Sequence, residues 1–585
     1  MPELFKQTKQ FGGTDPETAK EEILRYKALK SWRSARFDPA WQTLSQYFLP
    51  NMSDINTEKV EGTSGWSDRI FDTTGIEDAR ICTTGQSNWA TPAAEPWFAL
   101  VPPKFMNMEE DDDGYIWCAI CTDIMLGEMA RSNYYPQSGI QYKSRTVFGT
   151  GHLHIEEGKK SLISYMTRKV GTYCIALDDE GNVDTVYAEW KLTARQAAQK
   201  FGIENLSEKV AKAYHEAGGK GLDTRFDFLH VIRPRGETER EPGKMDGTNK
   251  AIASIYIAMD DQVCVKISGY DEMPDSITRF DDWGTGTAWG YSPAFETLPN
   301  VRQLNYLVRF TDAQLELRAN PRILTPSGLY GQIDLRPGGI TAYDANNPAA
   351  GKPEEWMTQA DLLGTEKSIE QKQQAVHRMF YVDTFKALSQ MQQLYKTPPT
   401  AYQIQQVLGE SIQQLSPMFG RIITEKTDVD LRRIFGICFR AGKFPPPPRS
   451  MYVPDESGRT LKLAMPEVSY TSRLAIALRA QQNRATMETM QFVEETVKNT
   501  GRIDLLDNYD MDGLYRNYSL QQGMSGRYIR PFRDVIAMRD ARAKQAAAAN
   551  ALAAAESASK SAANLGKAPQ AMQDAATDQL ANATA

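Results

Sequence analysis

The sequence predicts a multi-domain α+β protein on three observations: its length, a run of short β-rich segments flanked by helices in its first half, and long proline-broken helices in its second. At 585 residues the chain exceeds what one hydrophobic core organises, so several units are expected. From residue 16 to 48, Ile23, Leu24, Tyr26, Leu29, Trp41, Leu44 and Tyr47 recur at helical spacing, and Pro50 stops the pattern. A second helix is expected over 67–88, and a third from Asp113, an N-cap residue type, to Arg131. Strands follow over 146–156, 162–165, 172–178 and 183–189, separated by Gly or Asp turns. After a helix over 193–201 come strands near 226–234 and 252–268. This order lacks the regular βαβ alternation of a nucleotide-binding sheet.

The second half is helical in a different way. Leu298 to Arg318 reads as one helix, ended by Asn320-Pro321 because a residue before proline avoids the helical region. Residues 321–357 are rich in Gly and Pro with short β segments. Helix resumes over 361–394, breaks at Thr397-Pro398-Pro399, and restarts at Thr400, which forms a capping-box pattern with Gln403. From Thr400 to Gly442 it runs for roughly 43 residues, about 65 Å. Pro417 and Gly420 lie inside it and predict a kink, since proline removes a backbone hydrogen bond and clashes with the preceding turn. Pro445 to Pro448 end the element.

Composition excludes several function classes. A net charge of −7 has the wrong sign for a protein that grips phosphate backbones by neutralising them. Six scattered cysteines do not make a disulfide framework and are expected as free thiols in a reducing compartment. The N-terminus lacks an apolar signal region and no apolar run reaches membrane-spanning length, so a soluble, non-secreted chain is expected. There is no GxxxxGK[ST] phosphate loop, no GxSxG elbow and no HExxH pair, and five histidines leave little for acid–base work, so no enzyme activity, cofactor or metal is assigned.

Three local patterns imitate chemistry. Trp117-Cys118-Ala119-Ile120-Cys121 has redox-motif spacing, but Trp117, Ile120, Cys121, Ile124 and Met125 form a helical apolar stripe, which reads as core. His152 and His154 share a strand face and with those cysteines could supply a zinc tetrad, though in no standard spacing; structural histidines are the expectation. Asn508 to Gly513 begins like a calcium loop, but its twelfth position is Ser519 where a bidentate Glu is required. Arg421, Lys426, Arg432, Arg433, Arg440 and Lys443 alternate with Glu425, Asp428 and Asp430, and are expected to form ion pairs.

The segment PPTAYQIQQVLGESIQQLSPMFGRIITEKTDVDLRRIFGICFRAGKFPPPP (398–448) resembles the signature helix of the portal proteins of short-tailed bacteriophages, with its TA start, Leu-Ser-Pro kink, aromatic-Gly pair and proline terminator. IFDTTG (70–75), TPAAEPWFAL (91–100), SGYDEMP (268–274), WGYSPAFETLPNVRQLN (289–305) and SRLAIALRA (472–480) agree in order, over about residues 30–515. The resemblance implies a wing at 1–290, a stem helix at 291–320, a clip at 321–357, a returning stem helix at 358–387 and a channel loop at 388–399. It further implies a long kinked helix at 400–449, a return strand region of the wing at 450–471 and a helical crown at 472–540. The Ala-rich 541–585 tail is either a barrel helix or disordered. It implies a cyclic ring, expected dodecameric, at one capsid vertex. Terminase large subunit, tail adaptor and tail tube proteins, and major capsid and scaffolding proteins would be partners, with double-stranded DNA passing non-specifically and no membrane. The location implied is the virion, with host cytoplasm during assembly. Gln390, Gln392, Gln393 and Lys396 would face the channel. The alternative is another virion structural protein, such as a tail adaptor or internal head protein; a redox or zinc enzyme is the third reading.

Overall fold

The computed structural model describes residues 16–55, 70–103, 112–158, 161–236, 239–240, 246–284, 286–320, 322–324, 354–356, 362–386, 415–454, 461–471, 489–502, 508–521, 528–530 and 532–565. Helix and sheet are mixed, and the chain divides into two compact units. The first takes residues 1–98, 124–443 and 470–502; the second takes 99–123, 444–469 and 503–585.

The elements run α1 (Pro16–Arg36), α2 (Asp38–Phe48), α3 (Thr74–Ala90), β1 (Phe98–Val101), α4 (Asp112–Arg131), α5 (Tyr134–Phe148), β2 (Thr150–Glu157), β3 (Ile163–Arg168), β4 (Tyr173–Leu177) and β5 (Val183–Thr193). Next come α6 (Ala194–Phe201), α7 (Glu208–Tyr214), β6 (Arg225–Pro234), β7 (Ile252–Ala258), β8 (Val263–Tyr270) and β9 (Asp275–Arg279). The expected 16–48 helix is two helices that meet at Phe37. The helix expected from residue 67 starts at Thr74, where the Asp72 carboxylate accepts the Thr74 N–H. The strand expected from residue 146 starts at Thr150: Thr146 and Val147 are β-branched, yet they complete α5. Gly149 stops that helix at φ +83°, and a Cβ there would meet the Gly290 carbonyl.

In the first unit β4–β5–β6–β7–β8 form one antiparallel sheet and β3–β2–β9 another. Ile23 and Tyr26 of α1 pack on the larger sheet against Tyr187, Leu229 and Ile255. Phe201 of α6 and Val210 of α7 bury Phe228 and Tyr256. Thr193 and Gln196 close a capping box that fixes where α6 begins. The open edge of β3 is blunted by side chains: Asn133 bonds both backbone groups of Tyr165, and Gln137 accepts the Thr167 N–H. A third core gathers Trp41, Phe48, Tyr142, Phe148, Trp289 and Leu304. Trp41 and Trp289 meet edge to face at 4.7 Å, and Trp41 donates to the Phe148 carbonyl at 3.1 Å.

In the second unit Trp117 donates to the Pro445 carbonyl at 2.9 Å and packs on Phe444. Cys118 and Cys121 are buried inside α4, a core position and not a helix terminus that would activate a thiol. The Ala-rich segment is helical within Phe532–Leu565 and exposed along nearly all of its described length. Among the described residues no helix is long and apolar enough to cross a membrane.

Candidate functional site

Two helices rise from the third core. The first, α8 (Pro293–Ala319), has Pro293 in its first turn and ends at Asn320. The second, α9 (Leu362–Met379), packs against it. Between them Arg322–Leu324 pairs antiparallel with Glu354–Trp356. Both helices are pinned to α3 or to the residues that lead into it. Asn305 of α8 accepts the Phe71 N–H at 2.8 Å, and Gln373 of α9 donates to Asp72 at 3.1 Å. His377 meets the buried Asp78 at 2.7 Å. Burial pushes the Asp78 carboxyl up to about 6, against the opposing pull of His377. Gly85 of α3 lies under the Phe385 ring, which a Cβ would strike at 2.4 Å. Away from this base α8 leaves apolar groups in solvent. Tyr306, 67% exposed, stacks on Phe310 at 6.2 Å, and Leu315 and Leu317 follow.

A third helical rod is bolted through the middle of the first unit. Residues 415–422 are α-helical, Ile423–Thr427 is a π-turn, and Asp428–Arg440 is α-helical again. Leu415, Met418, Phe419 and Ile422 enter the third core. The buried Arg145 of α5 donates to the Gln86 side chain, to the Arg279 carbonyl at 3.0 Å and to the Met418 carbonyl at 2.8 Å, and burial lowers its pKa to about 10. Lys426, fully buried in the π-turn, reaches Asp430 at 2.8 Å and Gln141 at 2.6 Å. The Thr427 hydroxyl donates to the Ile423 carbonyl at 3.1 Å, supplying a donor where the wide turn breaks the α ladder. Farther along, Arg433 and Arg440 share Glu272, while Arg279 holds Glu425. Of the charges interleaved in the sequence, Arg421, Lys426, Arg433, Arg440 and Lys443 form ion pairs, whereas Asp428 is bonded by the Tyr470 hydroxyl.

Of the residues singled out from sequence, Gln390, Gln392, Gln393 and Lys396 lie outside the described residues, as does the helix start at Thr400. Pro417 and Gly420 are helical, and the recorded departure from α geometry begins just after them, at Ile423. His152 and His154 both bond Asp275, and among the described residues no group of three His, Cys, Asp or Glu could hold a metal ion. Asp512, in the calcium-like stretch, is held bidentately by Arg539. Sequence reasoning missed Arg145 and Asp275, whose partners are distant in the chain, 59 to 273 residues away for Arg145 and more than 120 for Asp275. A buried charge carries no local pattern.

Over residues 19–529 the chain matches the family described as bacteriophage head to tail connecting protein. It is 28% identical over 571 residues to the portal protein of Salmonella phage epsilon15, covering 97% of this chain and 99% of the relative. It is 27% identical over 559 residues to a probable portal protein of Bordetella phage BPP-1, covering 94% and 95%. Similar solved structures include the virion of a native gene transfer agent particle, at 11% identity and TM-score 0.25, covering 57% of this chain and 73% of that one. The neck of an empty gene transfer agent particle, computed with C6 symmetry, gives 12% and 0.25, covering 58% and 73%. The family match, which starts inside α1 and reaches past the Met511–Gln521 helix, makes this chain a member of the bacteriophage head to tail connecting proteins.

Proposed function

We propose that copies of this chain form a closed ring at one capsid vertex, the portal through which phage DNA enters and leaves. The observation that carries the ring is the apolar face of α8. Tyr306, Phe310 and Leu317 fall within about 40° of one another around the helix, and such an exposed stripe in one protomer needs a covering surface, which a head-to-tail contact repeated around an axis supplies. In this reading α8 and α9 are the stem, residues 321–357 the clip, the sheets with α1 to α7 the wing, residues 472–540 the crown, and twelve copies close the ring. Changing Tyr306 and Phe310 together to Asp removes about 2 kcal/mol of burial per ring at each interface and adds charge. Mass photometry is expected to show the wild-type chain as a ring and the double variant as monomers and short arcs. Intact variant rings refute this face as the contact. An internal head protein or tail adaptor is disfavoured, because both phage relatives bearing the portal name align along nearly their full length.

The segment between the stem and the anchored helix is the channel-loop proposal. Gln390, Gln392 and Gln393 offer amides that touch a polyanion without fixing it, and Lys396 adds one charge, which suits sliding better than gripping. Replacing Gln392, Gln393 and Lys396 together with Ala should leave rings intact and lower the yield of DNA-filled heads at least tenfold; normal yields refute the assignment. Terminase, tail, capsid and scaffolding proteins would dock on other faces of the ring, in the host cytoplasm during assembly and then in the virion.

A further inference from the structure

We propose that the layer of titratable side chains between the two sheets of the first unit is an acid-sensitive joint. It holds the sheets together while His230 is neutral and loosens them when that ring takes a proton. No part of this rests on the portal reading.

The layer is built by strand register. His152 and His154 point from one face of β2, and Asp275 stands opposite His154 on β9. Facing them across the gap are Tyr173 of β4, 4.5 Å from His152, and His230 of β6, 5.4 Å from His154. The His230 ring lies flat on Tyr256 of β7 at 3.9 Å. Its Nε2 is 2.9 Å from the Ser254 hydroxyl, and its Nδ1 is 3.3 Å from a guanidinium nitrogen of Arg168. A guanidinium only donates, so Nδ1 must accept and the ring must be the neutral tautomer with its proton on Nε2. A proton on Nδ1 would set two cationic donors head to head in a space closed to water.

The surrounding charges offer no relief. His152 and His154 both bond the same Asp275 oxygen, at 2.8 and 2.7 Å, so one carboxylate already serves two rings. The other Asp275 oxygen, His152 Nδ1, His154 Nε2 and Arg168 Nε are buried without a hydrogen-bond partner. Glu156 of β2 is engaged by Lys200 of α6 at 3.0 Å and by the Tyr256 hydroxyl at 3.4 Å. Arg168 also sits over Trp190 of β5 at 5.1 Å. Lys266 and Tyr270 of β8 also act on Glu156 or Tyr256, and Arg433 lies over Tyr270 at 4.8 Å.

Burial, then the fields of His154 and Arg168, hold His230 well below the ordinary imidazole value; burial likewise lowers His152. Burial works against ionising Asp275, but the two imidazoles outweigh it and hold its carboxyl low. For such histidines the unfolded chain takes protons near pH 6.5 and the folded chain does not. Their stability contribution is therefore full above about pH 6.5 and falls as the pH drops toward the folded value. The loss approaches about tenfold in the folded-to-unfolded ratio per pH unit for each histidine.

Thermal unfolding of the full chain between pH 5.5 and 8, compared with His230→Gln, tests the joint. The glutamine keeps an acceptor for Arg168 and a donor for Ser254 but cannot titrate. The wild-type midpoint is expected to be flat above pH 7 and to fall by several degrees at pH 5.5, with the variant losing at least half of that fall. Limited proteolysis at pH 5.5 should cut the β4–β8 connections of the wild type faster than those of the variant, reversibly on return to pH 7.5. If His230→Gln does not fold, His152→Gln is read the same way. Parallel midpoint–pH curves for the wild type and a folded variant would overturn the proposal.

Discussion

Replacing Asp430 with Ala is expected to destabilise the first unit by about 3–5 kcal/mol, because it strands a buried cation. Lys426 has no exposure to solvent, and its ammonium lies 5.3 Å from the centres of both the Tyr134 and Tyr142 rings. Burial draws its pKa down even with Asp430 beside it. Without the carboxylate only the Gln141 oxygen remains as a direct acceptor among the described residues, and the Tyr134 hydroxyl loses its partner at 3.0 Å. The π-turn that carries Lys426 then gains a reason to open, which also loosens the contacts of residues 415–422 with the core. Urea unfolding followed by tryptophan fluorescence measures the loss. Exchanging both partners, Lys426→Met with Asp430→Leu, should recover most of it, since apolar groups of similar size carry no desolvation cost. A single-variant loss under about 1 kcal/mol contradicts the account.

Arg145→Leu is expected to cost a similar amount, about 3–5 kcal/mol, for a different reason. Among the described residues Arg145 meets no carboxylate at hydrogen-bonding distance; its guanidinium satisfies one amide and two main-chain carbonyls from α3, the end of β9 and the helical rod. Removing it takes one hydrogen bond from each of three buried acceptors at once. Arg145→Lys keeps the charge but replaces a planar fork with a single point donor, so it should restore less than half of the loss. The same unfolding measurement decides this, and full rescue by Lys would show that charge, and not the three-way bridge, matters.

How much of this was legible in the sequence follows from the range of each signal. Proline signals act within a few residues, which is why the stop of α8 at Asn320 was readable; the Thr193–Gln196 box that fixes the start of α6 is as local. α5 was not, because its Thr146 and Val147 read as strand while its burial is decided by contacts with β2, β3 and α3. The start of α3 moved to Thr74 because Asn305, more than two hundred residues on, holds Phe71 out of the helix. The alternating charges of the long helix announced ion pairs, but their partners on β9 and at Glu272 come from tertiary structure alone.

Negative-stain imaging of the purified full-length chain tests the central claim most directly. A cyclic portal predicts closed rings with a central hole and a single dominant number of copies. Persistent monomers at micromolar concentration would contradict it.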